Sequence, residues 1–196
     1  VGKLFKRLYV LLNMILNNDL DSFLEKVNGL TLIYGPSASG KSTLAMQTSL
    51  EFAKKGKVLF FDTEKSFSID RIKLMQSNYN ELLENIIVVP ITSFDEQVKK
   101  LKDVEKLVKI GNFEYVVIDS FGIFYRHALH NFDYSVINKK TIEILKSLKH
   151  VVDLGIPVLI TNQVYSDKEG QIKTVGGQMI RNFSNSIIEL KLNPRK

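Results

Sequence analysis

The stretch that most constrains this chain is a glycine-rich loop between an apolar run and an amphipathic pattern. The loop reads Gly-Pro-Ser-Ala-Ser-Gly-Lys-Ser-Thr over residues 35–43 and fits the P-loop pattern G-x-x-x-x-G-K-S. The run before it, residues 30–34, is short and apolar, which predicts a buried strand. After it, Leu44, Thr48 and Phe52 would share one face of a helix. The chain therefore supplies the strand, loop and helix start that a P-loop needs.

Each part of this motif has a chemical role in binding a nucleoside triphosphate. Gly35 and Gly40 let backbone N–H groups turn inward around a phosphate, where a Cβ would clash. The following helix presents the positive end of its dipole. We expect Lys41 to reach the β- and γ-phosphates and the Ser42 hydroxyl to ligate Mg²⁺. The predicted nucleotide-binding residues of the loop are Gly35, Pro36, Ser37, Ala38, Ser39, Gly40, Lys41, Ser42 and Thr43.

The composition of the chain limits its class. At 196 residues we expect one domain that is large enough to bury a core. The absence of cysteine excludes disulfides, thiolate catalysis and cysteine-based zinc sites, and it is compatible with the cytoplasmic location that we expect. A net charge of +6 favours an anionic partner such as nucleic acid only weakly, because a solvated lysine-rich surface gives the same charge.

Residues 1–18 form a basic and apolar extension that precedes the domain. The apolar run 8–16 follows several basic residues and resembles the start of a signal peptide. No small-residue cleavage site follows, and the run is too short to span a bilayer, so we expect no membrane association. We expect a basic amphipathic helix that packs on the core or on a partner. A further hypothesis takes Met14 as the natural start; intact mass from the native host tests it, and retained residues 1–13 would reject it.

Apolar runs alternate with helical patterns along the remaining chain. Strands are predicted at 30–34, 58–62, 86–89, 115–119, 158–162 and 186–190. Helices are predicted from about residue 68, from the capping box at Ser93 through Val108, and from Tyr134 to Leu154. This alternation indicates an α/β fold of the P-loop NTPase type, with a largely parallel sheet covered by helices on both faces. No linker or repeat divides residues 19–196, which we expect to form a single core.

Two acidic side chains follow predicted strands, where ligands bind on a parallel sheet. Asp119 ends an apolar strand and is expected to hold Mg²⁺ through its water shell, as a Walker B aspartate does. The alternative for Asp119 is an aspartate that caps the next turn. Glu64 follows the second strand and is a candidate general base for the attacking water, unless it is a solvated loop carboxylate.

Two further side chains are candidates for contacts with the nucleotide. Gln163 can hydrogen-bond the γ-phosphate and report its loss to the adjoining loop, although an ordinary polar loop residue is the alternative. Arg71 can lay its guanidinium on the adenine face, and a plain helix-surface arginine is the alternative. The predicted catalytic residues are therefore Glu64, Lys41 and Gln163, and the predicted metal ligands are Ser42 and Asp119.

Taken in order, these segments resemble the ATPase core of the RecA/RadA recombinase superfamily. The resemblance covers about residues 19–191 and is specific as a set, although the P-loop alone is not. Within the superfamily the chain resembles the short archaeal RadB paralogues, which also lack a separate N-terminal domain. The segments that carry the resemblance are the P-loop, Phe61–Glu64 with Phe67 and Arg71, Val117–Ser120, Ile160–Val164 and Val175–Gly177.

The resemblance implies roles for several residues. Glu64 matches the catalytic glutamate of the family, and Arg71 matches the adenine-stacking arginine. Gln163 matches the glutamine that links the γ-phosphate to the second DNA-binding loop. Residues 165–177 match that second loop, and the segment after Arg126 matches the first. Such loops bind single-stranded DNA through backbone N–H groups, basic side chains and stacking. The candidate DNA contacts are Arg126, Lys168, Lys173, Gly176, Gly177 and Arg181, and a solvated basic surface is the alternative for the charged ones.

The chain also departs from the recombinase pattern. It shows neither a helical DNA-binding domain before the core nor the aromatic-x-x-Ala segment that links recombinase subunits, and Thr174 stands where recombinases have a proline that caps the neighbour's ATP. These departures argue against filament formation and strand exchange, and they suggest weak ATP turnover.

We therefore expect an accessory factor of homologous recombination and DNA repair. It would bind ATP, Mg²⁺ and DNA, with single strands the expected form, and assist the main, RadA-like recombinase. One alternative is a protein-binding module switched by its nucleotide. The other is a P-loop ATPase or kinase without a DNA role.

Overall fold

The structure is a computed structural model that describes residues 7–11, 23–25, 27–166 and 172–192, with the backbone alone described at 7–11, 166, 172 and 173. The strands are β1 (Arg7–Leu11), β2 (Leu30–Gly35), β3 (Lys57–Asp62), β4 (Ile86–Pro90), β5 (Phe113–Asp119), β6 (Val158–Ser166), β7 (Ile172–Thr174) and β8 (Ser186–Lys191). The helices are α1 (Lys41–Ala53), α2 (Ile69–Met75), α3 (Tyr79–Leu83), α4 (Phe94–Lys102), α5 (Val104–Gly111), α6 (Gly122–Ala128), α7 (Tyr134–Asp153) and α8 (Gly177–Phe183).

The strands form one sheet whose order is β1-β8-β2-β6-β5-β3-β4, with β7 paired to β6. All pairs along that order are parallel, whereas β7 runs antiparallel to β6. The register places Gly35 beside Gln163 and Asp62 beside Asp119, so these residues share the carboxyl edge of the sheet. The predicted α/β fold with a largely parallel sheet is confirmed.

Two apolar clusters cover the two faces of the sheet. On β5, Val116 and Ile118 join the cluster that includes α7, whereas Tyr115 and Val117 join the cluster that includes α1. Neighbouring side chains on a strand point to opposite faces, so a strand buried on both faces must be apolar throughout. The long helix α7 is amphipathic, and no helix among the described residues is long and apolar enough to cross a membrane.

Three segments begin or end at residues other than the predicted ones, because backbone pairing or a local break set their boundaries. The helix predicted from Ser93 through Val108 is divided at Asp103 into α4 and α5. Strand β6 continues past the predicted end to Ser166, because it pairs with β7 in a hairpin. The segment assigned to the first DNA-binding loop begins inside α6, which had not been predicted.

The amphipathic helix expected near the N-terminus is wrong over Arg7–Leu11, which form the strand β1. This strand pairs in parallel with β8 along its whole length. The pairing of a strand depends on backbone partners from a distant segment, here β8, which a sequence pattern cannot reveal. The remainder of that expected helix lies outside the described residues.

Candidate nucleotide and nucleic-acid sites

A cavity of about 190 Å³ lies at the carboxyl ends of β2, β3, β5 and β6. It is lined by Ser37, Ala38, Gly40, Lys41, Ser42, Thr43, Glu64, Arg71, Asp119 and Gln163. The fold thus brings together the P-loop and the four residues predicted from later in the chain. Gly35, Pro36 and Ser39 are not among the residues that line the cavity; Gly35 and Ser39 are buried and Pro36 is half-buried.

The P-loop owes its shape to residues in the left-handed conformation. Ala38 has a φ of 60° and Gly40 a φ of 91°, and Gly40 leads directly into α1. The first N–H groups of an α-helix have no partner within the helix, so the start of α1 offers donors to an anion. Gly35 is required for a different reason from the one expected. An added Cβ there would lie 2.4 Å from the Leu190 carbonyl oxygen, so packing against β8 excludes a side chain.

Lys41 is folded back onto its own loop. Its Nζ donates hydrogen bonds to the carbonyl oxygens of Gly35 at 3.0 Å and Pro36 at 2.7 Å. Burial lowers the pKa of Lys41, while the charges of Asp119 and Glu64 oppose that shift. Phosphate oxygens are stronger acceptors than carbonyl oxygens, so a bound phosphate can replace these two contacts.

Asp119 is buried, and both of its carboxylate oxygens accept hydrogen bonds from hydroxyl groups. Thr161 Oγ1 donates to Oδ1, and Ser66 Oγ donates to Oδ2. Together with the Ser42 hydroxyl, Asp119 supplies the oxygen ligands that Mg²⁺ prefers. No three His, Cys, Asp or Glu residues within the described chain could hold a metal by themselves. The residues therefore fit a Mg²⁺ that is held mainly by phosphates and water, as is usual for this ion.

The loop after β3 is organised by Asp62, a residue to which no sequence motif assigns a role. Its Oδ1 accepts the backbone N–H of Glu64 at 3.2 Å and of Ser66 at 3.0 Å. Its Oδ2 accepts the backbone N–H of Phe67 at 3.1 Å. An aspartate at a strand end often accepts such bonds from the next few residues, and this was the signal available in the sequence. Asp62 thereby fixes the turn that carries the candidate base.

Glu64 and Gln163 meet at the cavity although they are far apart in the sequence. Gln163 Nε2 donates to Glu64 Oε1 at 2.9 Å and to Oε2 at 3.1 Å. Arg71, on α2, donates from Nη2 to Thr43 Oγ1 at 2.9 Å, which holds its guanidinium beside the P-loop. The candidate base, the candidate sensor and the candidate adenine-binding arginine therefore all border the same cavity.

A second, larger cavity of about 590 Å³ lies between α6, the start of α7, strand β6 and the start of α8. Three of the predicted DNA contacts line it, namely Arg126, Gly176 and Gly177. Asn162 on β6 connects the lining of this cavity to the sheet, because its Nδ2 donates to the carbonyl oxygen of Val175 at 2.7 Å. The two predicted DNA-binding segments are thus neighbours in the fold.

The sequence profile of the Rad51 family matches residues 13–193. The chain belongs to the Rad51 family. A DNA repair and recombination protein RadB from Methanobrevibacter smithii is 35% identical over 192 residues, covering 92% of this chain and 80% of the relative. One from Methanococcoides burtonii is 35% identical over 168 residues, covering 82% and 73%. A crystal structure of the RadB recombinase matches with a TM-score of 0.68 and 31% identity, covering 85% of this chain and 76% of that one.

These findings confirm the recombinase resemblance, and the relatives are archaeal RadB proteins as the sequence implied. Recombinases of this family bind nucleotide together with Mg²⁺ in general. Among the remaining DNA candidates, Arg181 does not line the second cavity. Its guanidinium lies 4.9 Å from the centre of the Tyr34 ring on β2. Lys168 and the side chain of Lys173 lie outside the described residues.

Proposed function

We propose that this Rad51-family protein is a DNA-associated accessory factor of homologous recombination and DNA repair that binds Mg²⁺·ATP and hydrolyses it slowly. Its RadB relatives carry the name DNA repair and recombination protein. The observation that carries the proposal is the meeting of the P-loop, Asp119, Glu64 and Gln163 in one cavity. A P-loop protein without phosphate chemistry would not need a carboxylate and an amide opposite its lysine.

In this proposal the nucleotide replaces contacts that the protein now makes with itself. Lys41 would move from its two loop carbonyls to the phosphate oxygens, and the first N–H groups of α1 would donate to the same phosphates. Ser42 and Asp119 would hold Mg²⁺, Asp119 through ordered water. When bound, Mg²⁺ neutralises charge on the transferred phosphate. Arg71 would pack on the adenine ring.

Glu64 is the proposed base for the attacking water. Both of its carboxylate oxygens now accept from the Gln163 amide, so the carboxylate is occupied until Gln163 releases it. A γ-phosphate oxygen is an alternative acceptor for that amide. ATP binding would therefore release Glu64 and shift the Gln163 side chain on β6 in the same step. This links hydrolysis to β6, the strand that leads to the second cavity.

Single-stranded DNA is the proposed partner of the second cavity. Gln163 and Tyr165 are two residues apart on β6 and so lie on the same face of that strand. Tyr165 lines the second cavity with Arg126, Gly176 and Gly177, and a net charge of +6 favours a polyanion. Lys168 and Lys173 stay candidate contacts, and the protein assisted would be a RadA-like recombinase.

Nucleotide binding tests the first part of the proposal. Lys41→Ala should abolish ATP binding measured by calorimetry. Lys54→Ala should leave it unchanged, because Lys54 is exposed just past the other end of α1 and pairs there with Glu51. Unchanged ATP affinity in Lys41→Ala would refute the nucleotide site. Glu64→Gln should bind ATP and lose turnover, and full hydrolysis by that variant would remove Glu64 from the role of base.

DNA binding tests the second part. The affinity for a single-stranded oligonucleotide is measured with and without Mg²⁺·ATP across a salt series, and binding should weaken as salt rises because counterions are released. A DNA affinity that changes when ATP is present supports the link through Gln163. A DNA affinity that is the same with and without ATP refutes that link. No binding at low salt would reject the DNA role and favour a nucleotide switch that acts on a protein partner.

A further inference from the structure

We infer that the second cavity holds one unstacked nucleobase of the bound DNA strand against its tyrosine side chains. The inference rests on the proposed DNA binding and adds a site that is separate from the phosphate contacts. Three tyrosines reach the cavity from three different elements: Tyr125 from α6, Tyr134 from the first turn of α7, and Tyr165 from β6. Aromatic rings stack on any base, because every base has a flat π-face.

The exposure of these rings suits a binding role better than a structural one. Tyr125 is 4% exposed and forms the inner end of the cluster, whereas Tyr134 is 64% exposed and Tyr165 42% exposed. Single exposed aromatic residues are common on protein surfaces, but two beside a buried third at one cavity are a concentrated apolar surface. A planar apolar ligand would cover that surface.

The inner end of the cluster is polar and uncharged. The Tyr125 hydroxyl donates to Asn138 Oδ1 at 2.8 Å. Burial, together with the neighbouring Tyr134 and Tyr165, raises the pKa of Tyr125 to about 12, so its hydroxyl keeps its proton at neutral pH. Tyrosine hydroxyls and an asparagine amide offer both donors and acceptors, which is what the edge of a nucleobase presents in return.

The charge around the cavity fits a nucleic-acid strand. Arg126 and His130 lie along the cavity, and none of the described residues that line it is acidic. At Gly177 an added Cβ would meet nothing within 4 Å, so the backbone there borders open space that a sugar–phosphate chain can approach. The volume of about 590 Å³ is within the range of about 300–1,000 Å³ that small-molecule sites occupy, which suits a nucleoside better than a duplex.

The test compares two single strands of equal length and charge, an oligo-dT and an oligonucleotide that carries no bases. We expect wild-type protein to prefer the oligo-dT. Tyr134→Leu should weaken oligo-dT binding by about 5- to 150-fold, the range that base–aromatic stacking supports, and should leave binding of the base-free strand unchanged. Tyr134 is largely exposed, so the substitution should not disturb folding.

Two matched variants make the result specific. Tyr134→Phe keeps the ring and should bind oligo-dT nearly as well as wild type. Tyr79→Leu makes the same change on α3, away from the cavity, and should have no effect. Equal effects of Tyr134→Leu on both strands, or no effect on either, would overturn the base site while the DNA function stands. Failure of wild-type protein to bind either strand would instead reject the proposed function.

Discussion

Replacing Asp62, the last residue of β3, by alanine should destabilise the protein because it removes the acceptor that organises the following turn. The Asp62 carboxylate is 6% exposed and accepts backbone N–H groups from Glu64, Ser66 and Phe67 at 3.0–3.2 Å. Alanine leaves these three donors without their partner. The turn that carries the candidate base would then keep the side-chain contacts of Thr63, Glu64 and Ser66 with neighbouring segments but lose the carboxylate that organises its backbone.

The size of the effect follows from those bonds. A hydrogen bond to a charged group contributes about 1.5–3 kcal/mol net. The three loop donors lie near the surface, so water can replace part of each bond, and the loss of the negative charge beside Asp119 gives some relief. A total of about 2–3 kcal/mol is therefore expected for Asp62→Ala. Asp62→Asn, which keeps one acceptor oxygen, should lose about half of that.

Urea unfolding followed by circular dichroism measures this loss. With a slope of about 2 kcal/mol/M for a chain of this size, the midpoint of Asp62→Ala should fall by about 1 M. The control is Asp153→Ala, because Asp153 is exposed and its ion pair with Lys149 is long, at 4.0 Å. Its free energy of unfolding should change by less than about 0.5 kcal/mol. An Asp62→Ala midpoint equal to that of wild type would refute the reasoning.

Four further changes test other parts of the structure. Gly35→Ala should lower both stability and ATP affinity, measured by unfolding and calorimetry, because its Cβ would lie 2.4 Å from a carbonyl oxygen of β8. Leu148→Ala, at a fully buried position of α7, should cost about 3 kcal/mol in urea unfolding. Gln163→Ala should keep ATP binding but remove any effect of ATP on DNA affinity. Hydrogen bonds, of which the one from Lys100 has the largest effect, lower the pKa of Glu96 from 4.5 to about 2. The stabilising contribution of Glu96 is therefore present above pH 4.5 and is lost as the pH falls to 2. Glu96→Gln should flatten the pH dependence of stability in that window.

The main elements of the fold could be predicted because their signals are local. The strands β2, β3 and β5 are mostly apolar, and the buried face of α7 is mostly apolar at helical spacing. Such patterns reflect which faces are buried and need no knowledge of the partner. The division at Asp103 and the β6–β7 hairpin were missed, since both depend on what the neighbouring segment does.

The candidate site could be predicted in part for the same reason. A P-loop is a contiguous motif, and Asp119 and Glu64 each follow a recognisable strand. The hydrogen bond between Gln163 and Glu64 joins residues 99 positions apart, and no local pattern indicates it. The position of the Arg181 guanidinium over the Tyr34 ring could not be predicted either, because the orientation of α8 on the sheet decides where its side chains point; its role as a DNA contact stays a prediction.

The sequence by itself determined the α/β class, the P-loop and the family, because these depend on residue types at short and fixed spacing. Only the tertiary structure decided that residues 7–11 extend the sheet, that Asp62 holds the turn of Glu64, and that three tyrosines from separate elements surround one cavity. The physical reason is that hydrogen bonding and packing between distant segments depend on where the whole chain places them, and local propensity carries no record of that arrangement.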